Sequence, residues 1–366
     1  MFDLLMLRPD AIKALEDPGV KKALPRYVKV VRDELPAKFL ITRKIPVEFD
    51  PGMNEEELWE IHDKAMKKFR AIEAKMDSGK IKLEDLEDPK KSLLDLKCAI
   101  SDKIMTHCHF CTRRCEVNRL KGELGFCKAG TEWRIFGAHE HYGEEAELVI
   151  SGTIFQAACS MRCVYCQNAP ASIKPELGET WSVEEVVAWM ETMKRRKVRN
   201  INWVGGSPTC WLWHILKALK LSEVNLAQVW NSNSYYSEET AKLIDGVMDV
   251  YLLDFRYFSE ECAIKLSQAP NYPEVAKRNH LTANKVGELL IRVLIMPTHL
   301  ECDAKPILKW IRDNLEEWTR VNILPQYRPC WKAWDYPGID KPLSSNEYEE
   351  VVNYAKDIGL KNIVRS

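Results

Sequence analysis

Cys159-Ser160-Met161-Arg162-Cys163-Val164-Tyr165-Cys166 places three cysteines within eight residues, spaced Cys-x3-Cys-x2-Cys, directly after an apolar run. Cubane iron–sulfur clusters are held by cysteine thiolates, normally four. A compact set of three therefore predicts a cluster with one iron open to an exogenous ligand. A structural zinc site needs closed tetrahedral Cys and His ligation, and no fourth Cys or His lies between Ala157 and Ser207. Zinc with a distant ligand, and chance clustering of buried cysteines, are the competing readings of this loop.

The surrounding chain predicts where the loop sits. From about Glu147 onward, short β-rich runs alternate with amphipathic helical stretches, the pattern of a parallel sheet with helical crossovers. The predicted strands are Leu148–Phe155, Asn200–Val204, Ala227–Asn231, Val250–Asp254, Glu288–Met296 and Val321–Pro325. Six β/α units imply an incomplete barrel. Ser182 with Glu185 heads a helix over 183–196, and Ser237 heads another running to Asp245. In such sheets the reactive groups lie on loops beyond the C-terminal strand ends, where the cysteine loop falls.

Residues 1–105 read as a polar helical region. Asn54 and Glu57 form a capping pair, and Leu58, Ile61, Ala65, Phe69, Ile72 and Met76 recur at helical spacing. Prolines 25, 36, 46 and 51 interrupt what precedes, and 78–91 reads as a solvated connector. Residues 106–146 are a four-cysteine segment, 147–330 the barrel, and 331–366 a C-terminal extension with a helix. The 366 residues carry 53 Lys plus Arg against 54 Asp plus Glu, so the net charge of -1 gives no general nucleic-acid or anionic-membrane surface. No apolar stretch spans a bilayer, and MFDLLMLRPDAIKAL lacks the regions of a secretory leader, so a cytoplasmic protein is expected. Twelve cysteines there point to metal or redox chemistry.

The cysteine loop resembles the radical S-adenosylmethionine (SAM) superfamily, whose motif is Cys-x3-Cys-x-aromatic-Cys, with Tyr165 at the aromatic position. The resemblance implies a partial (β/α)6 barrel and a 4Fe-4S cluster chelated by SAM. Electron transfer into the sulfonium then yields a 5'-deoxyadenosyl radical that abstracts hydrogen. One strand later, Trp203-Val204-Gly205-Gly206-Ser207-Pro208-Thr209 resembles the superfamily's Gly-Gly-Glu-Pro element, which holds the SAM amino group, with Ser207 replacing the acid. Asn231, Ser232, Asp254, Arg256, Arg292 and Gln326, with Tyr327 beside it, stand at later strand ends as candidate cofactor contacts. By resemblance to glycyl-radical activating enzymes, Arg256 stands where those enzymes carry lysine and would pair with the SAM carboxylate. Asp254 would bond ribose or substrate. An arginine fork is not geometrically equivalent to a lysine point charge.

Upstream, Cys108, Cys111, Cys115 and Cys127 form Cys-x2-Cys-x3-Cys-x11-Cys, enough thiolates to close a second metal centre of zinc, iron or an iron–sulfur cluster. The neighbouring His107 and His109 are not read as ligands. The run from His107 to Cys127 resembles pyruvate formate-lyase activating-enzyme-related radical SAM proteins. Further matching segments include His141-Tyr-Gly-Glu-Glu145, Ala269-Pro-Asn-Tyr-Pro-Glu-Val275, Pro297-Thr-His-Leu-Glu-Cys302 and Gln326-Tyr-Arg-Pro329; Thr112 departs from the usual proline. That resemblance implies a protein or peptide substrate and a reductant such as ferredoxin or flavodoxin. The competing functions are radical methylation or another small-molecule transformation, and a non-enzymatic iron–sulfur or zinc protein. Cys210, Cys302 and Cys330 are expected as small packed side chains, as are Trp211, Trp213, Trp331 and Trp334; His299 is a candidate substrate contact.

Overall fold

The computed structural model describes residues 8–365; of the opening stretch read for a secretory leader, residues 1–7 lie outside that range. A nine-stranded sheet organises the chain in the order β3-β1-β2-β4-β5-β6-β7-β8-β9. Its strands are β1 (Arg134–His141), β2 (Ser151–Gln156), β3 (Glu179–Thr180), β4 (Asn200–Gly205), β5 (Ala227–Ser232), β6 (Val250–Asp254), β7 (Glu288–Leu294), β8 (Arg320–Leu324) and β9 (Ile363–Arg365). From β2 to β9 every neighbouring pair is parallel. Only β1 runs antiparallel, to β2 and β3. The ends β3 and β9 do not meet, so the barrel is partial.

The six expected strands are β2 and β4–β8. Most of their residues are buried, and in β5, Ala-Gln-Val-Trp-Asn-Ser, all of them are, because helices cover one face and the barrel interior fills the other. Helices Val183–Arg195 and Glu238–Ile244 start at Ser182 and Ser237 as the sequence predicts. In the first, Ser182 accepts from the Glu185 N–H while Glu185 bonds back to the cap. Three strands escape the sequence pattern. β1 is half-exposed along its length, β3 has two residues, and β9 follows a left-handed Gly359 at the end of the described chain.

The N-terminal region does two jobs. Helix Glu55–Asp77, capped by Asn54 and Glu57, lays Leu58, Ala65, Phe69 and Met76 against helix Leu93–Thr106, which packs on the barrel helix Leu212–Leu221. Short helices before it close the bottom of the barrel. Pro25 begins helix Pro25–Val31, where its fixed φ and missing N–H fit the first turn. Arg26 from that helix pairs with buried Asp249 at 3.0 Å, just before β6, and Glu288 at the start of β7 accepts from the Tyr27 N–H at 2.7 Å. These contacts seal the N-terminal strand ends and leave the C-terminal ends to the site. Among the described residues no helix is long and apolar enough to cross a membrane.

Candidate functional site

The cysteine loop leaves β2 and turns across the C-terminal mouth of the barrel. Its backbone is fixed from the side: the Arg162 N–H donates to Ser267 O at 2.9 Å and Val164 N–H to Leu266 O at 2.8 Å. Both acceptors end the helix Glu260–Ser267. Cys159 and Cys163 are buried and Cys166 half-buried. Each sulfur meets a hydrogen-bond donor. Met161 N–H and Asn233 Nδ2 approach Cys159 Sγ at 3.4 and 3.5 Å, and Ser267 Oγ and Arg256 Nη1 reach Cys163 Sγ at 3.0 and 3.3 Å. Ser172 Oγ lies 3.2 Å from Cys166 Sγ.

This donor set fits a cluster. Burial pushes the Cys159 thiol up to about 12 and raises Cys166 as well, so metal must displace the protons, and the donors then share the thiolate charge. Tyr165 is held by a buried chain: its hydroxyl is 2.5 Å from that of Tyr257, which is 2.7 Å from Ser267 Oγ. The aromatic position thus reaches Cys163 through Ser267.

A cavity of about 280 Å³ opens beside the loop. Cys166, Tyr165, Gly205, Gly206, Asn231, Ser232, Asp254, Arg256, Arg292 and Gln326 all line it. Ser207 does not. Its hydroxyl is buried without a hydrogen-bond partner, as is Asn231 Nδ2. The glycine pair is required first by the chain itself. Gly205 has φ +125°, and a Cβ there would overlap Gln156 backbone atoms, while one on Gly206 would overlap Ala158 O in the cysteine loop. We expect Gly206→Ala to lower stability by about 3 kcal/mol, because backbone rather than a flexible side chain must yield. An unchanged urea midpoint would show that the loop yields freely.

Arg256 binds Asp254 Oδ2 through Nη2 at 2.6 Å and Nε at 3.1 Å while its other terminal nitrogen faces Cys163. Burial opposes its charge, but Asp254 and Cys163 outweigh that. Arg292 is engaged differently. Its guanidinium is bound by Glu144, and by Glu145 through two 2.7 Å bonds, with Nη1 at 3.4 Å from Asn231 Oδ1. Glu144 also accepts from Asn202 Nδ2 at 2.9 Å. Nothing in the sequence alone assigns Glu144 and Glu145 a role; the available signal is a pair of acids, within the His141–Glu145 segment, just before a buried strand.

In the four-cysteine segment, Cys108 contacts Cys115, and Cys111 feels the charges of Cys115 and Cys127. A fifth thiol joins them. Buried Cys210 hydrogen-bonds Cys127, holding the Cys127 thiol down to about 6 against burial while its own is raised. His107 and His109 instead flank Glu55, with Nε2 atoms 2.8 and 3.1 Å from its carboxylate oxygens. The two cysteine segments interlock through Phe126. Arg113 and Arg162 lie 3.3 and 4.3 Å from its ring centroid, and these arginines donate to Ser160 O and Cys159 O at 2.6 and 2.8 Å. Trp211 is packed as expected, whereas Trp331, Trp334 and Cys302 are exposed, the last two in short helical turns at the surface. His299 does not line the cavity.

The partial β/α barrel carries its cysteine loop and polar strand ends on the C-terminal face, where β/α barrels place their reactive groups. The family model described as "Radical SAM superfamily" matches residues 153–311. A relative from Methanocaldococcus jannaschii, the uncharacterized protein MJ0674, is 40% identical over 343 residues, covering 92% of this chain and 98% of its own. The chain thus carries a radical SAM superfamily domain over residues 153–311, and that superfamily implies an enzyme with a 4Fe-4S cluster and SAM. Among solved structures, Streptococcus suis SuiB bound to its precursor peptide SuiA matches with TM-score 0.45 at 15% identity over 57% of this chain; the match spans 46% of SuiB. HydG, a maturase of the [FeFe]-hydrogenase, matches with TM-score 0.41 at 12% identity over 99% of this chain and 66% of its own.

Proposed function

We propose that Cys159, Cys163 and Cys166 hold the 4Fe-4S cluster, that SAM lies across the adjoining cavity, and that the radical is directed at a protein or peptide in the manner of the activating-enzyme-related branch. The observation that carries this reading is the single cavity shared by Cys166, Gly205, Gly206, Asp254, Arg256 and Gln326. When bound, the reduced cluster supplies the electron that cleaves SAM. The chain's own residues set the stage. Arg256 offers a cation at the cavity wall, Asp254 fixes its angle, and the Gly205–Gly206 backbone presents unshielded polar groups beside the cysteine loop. The orphaned Asn231 Nδ2 is a donor still to be satisfied by a ligand.

The peptide part rests on β1. Only Arg134 and Ile135 pair with β3, so among the described residues no strand covers the outer edge from Phe136 to His141. A groove lined by Phe136, Gly137 and His139 runs from that edge to Gly205 and Gly206. An extended peptide can add to such an edge by main-chain bonding. In this reading Cys108, Cys111, Cys115 and Cys127 form a second metal centre in a segment spanning 106–146, between a helical region and the 147–330 barrel. The 331–366 extension follows it. A ferredoxin or flavodoxin supplies electrons in the cytoplasm, a setting in accord with twelve unpaired cysteines.

The test is anaerobic reconstitution with iron and sulfide, reduction with dithionite, and assay of SAM products. Release of 5'-deoxyadenosine and methionine supports the reading. Accumulation of S-adenosylhomocysteine instead assigns methyl transfer. Deuterium carried from a labelled peptide into 5'-deoxyadenosine identifies the substrate class.

A further inference from the structure

Outside the cavity, the loops after β6 and β7 bring together Cys262, His299, Cys302 and Asp303. One donor atom from each lies within 4.8 Å of the others. We propose that these four side chains form a mononuclear zinc site that clips the two loops together. The donor set is two thiolates, an imidazole and a carboxylate, the complement that zinc takes tetrahedrally and that hard cations such as magnesium do not.

The groups behind the four donors hold them in place for a metal. The His299 Nδ1–H donates to Pro297 O at 2.9 Å, which fixes the tautomer that leaves Nε2 with its lone pair. Asp303 is buried, and its Oδ1 is used up by the N–H groups of Phe258 and Ser259 at 2.7 and 2.8 Å. Its Oδ2 is left facing Cys302 Sγ at 3.6 Å. Cys302 Sγ lies 4.0 Å from Cys262 Sγ, close to the separation of two thiolates on one zinc. Cys302 and Asp303 sit in a π-helical turn, Leu300–Ala304, which places the two successive side chains at the site.

The site sits apart from the cavity but not from the cysteine loop. Cys262 is in the first turn of the helix Glu260–Ser267, whose last residue donates to Cys163 Sγ. Zinc at the first turn therefore anchors the helix that supports the cluster-binding loop. The role is positional, and no bond to substrate is made or broken there.

The experiment counts zinc by mass spectrometry in the full-length wild type and in Cys302→Ser, each purified anaerobically from zinc-supplemented medium. The expected result is a fall of one zinc per chain in the variant. A cobalt-loaded difference spectrum between the two should show tetrahedral, thiolate-ligated cobalt. Cys302 is exposed, so the variant is expected to fold; should it not, His299→Gln is read in the same way. Equal zinc content in wild type and both variants overturns the proposal, as does zinc lost only when Cys108, Cys111, Cys115 and Cys127 are replaced. A Cys262–Cys302 disulfide in metal-supplemented, anaerobic protein also overturns it.

Discussion

Replacing Cys159, Cys163 and Cys166 together by alanine should abolish 5'-deoxyadenosine release while leaving the barrel folded. All three cysteines lie on one loop anchored through Arg162, Val164 and Ser267, so their removal takes away every thiolate ligand of the proposed cluster without touching a strand. The fold rests elsewhere, on the buried strand residues and the sealed N-terminal face. Circular dichroism and a cooperative thermal transition should therefore persist. Iron should fall by the content of one 4Fe-4S cluster, and any metal on Cys108, Cys111, Cys115 and Cys127 should remain. Continued 5'-deoxyadenosine production by the folded triple variant would remove these cysteines from the chemistry. Loss of all metal from both segments would mean that Phe126 and its flanking arginines bind the two segments into one unit.

How far the sequence alone reaches depends on the range of the interaction that decides each feature. The strands β2 and β4–β8 are set by local apolar runs, and the helix starts at Ser182 and Ser237 by a side chain three residues from its partner. These were readable. The convergence of Gly205, Asp254, Arg256 and Gln326 on one cavity followed from placing each at a C-terminal strand end. What stayed hidden depends on distant partners. Glu144 and Glu145 look like ordinary surface acids until Arg292 arrives from 147 or 148 residues away. Cys262 and Cys302 are 40 residues apart and belong to no spacing motif. β1 was missed because Arg-Ile-Phe-Gly-Ala-His-Glu-His has no clean alternation, being an antiparallel strand added beside a parallel sheet with one edge nearly bare.

Arg292→Met should cost about 3–5 kcal/mol, the range for removing one partner from a buried ion network. Glu144 and Glu145 are 5% and 1% exposed, and the methionine stem refills much of the space while supplying no charge. Asn202 and Asn322 still donate to the carboxylates, at 2.9 and 2.8 Å, but two buried negative charges would then face each other. The pH dependence fixes the cause. In the wild type burial works to raise Glu144, yet Arg292 and His141 hold it down to about 2. The stability that this depressed carboxyl contributes is present above the ordinary carboxylate range and is lost as pH falls toward 2. Without the arginine, burial dominates and the carboxyl rises above its unfolded value, so the variant loses stability as pH increases through that raised value. The deficit measured by urea unfolding should therefore be smaller at pH 5 than at pH 8. A deficit that is equal at the two pH values would assign the loss to packing. In the activity assay, Arg292→Met at pH 8 should also weaken SAM binding, since Asn231, which faces Arg292 across the cavity wall, loses the donor that positions it. A folded variant with unaltered SAM affinity would confine Arg292 to stability.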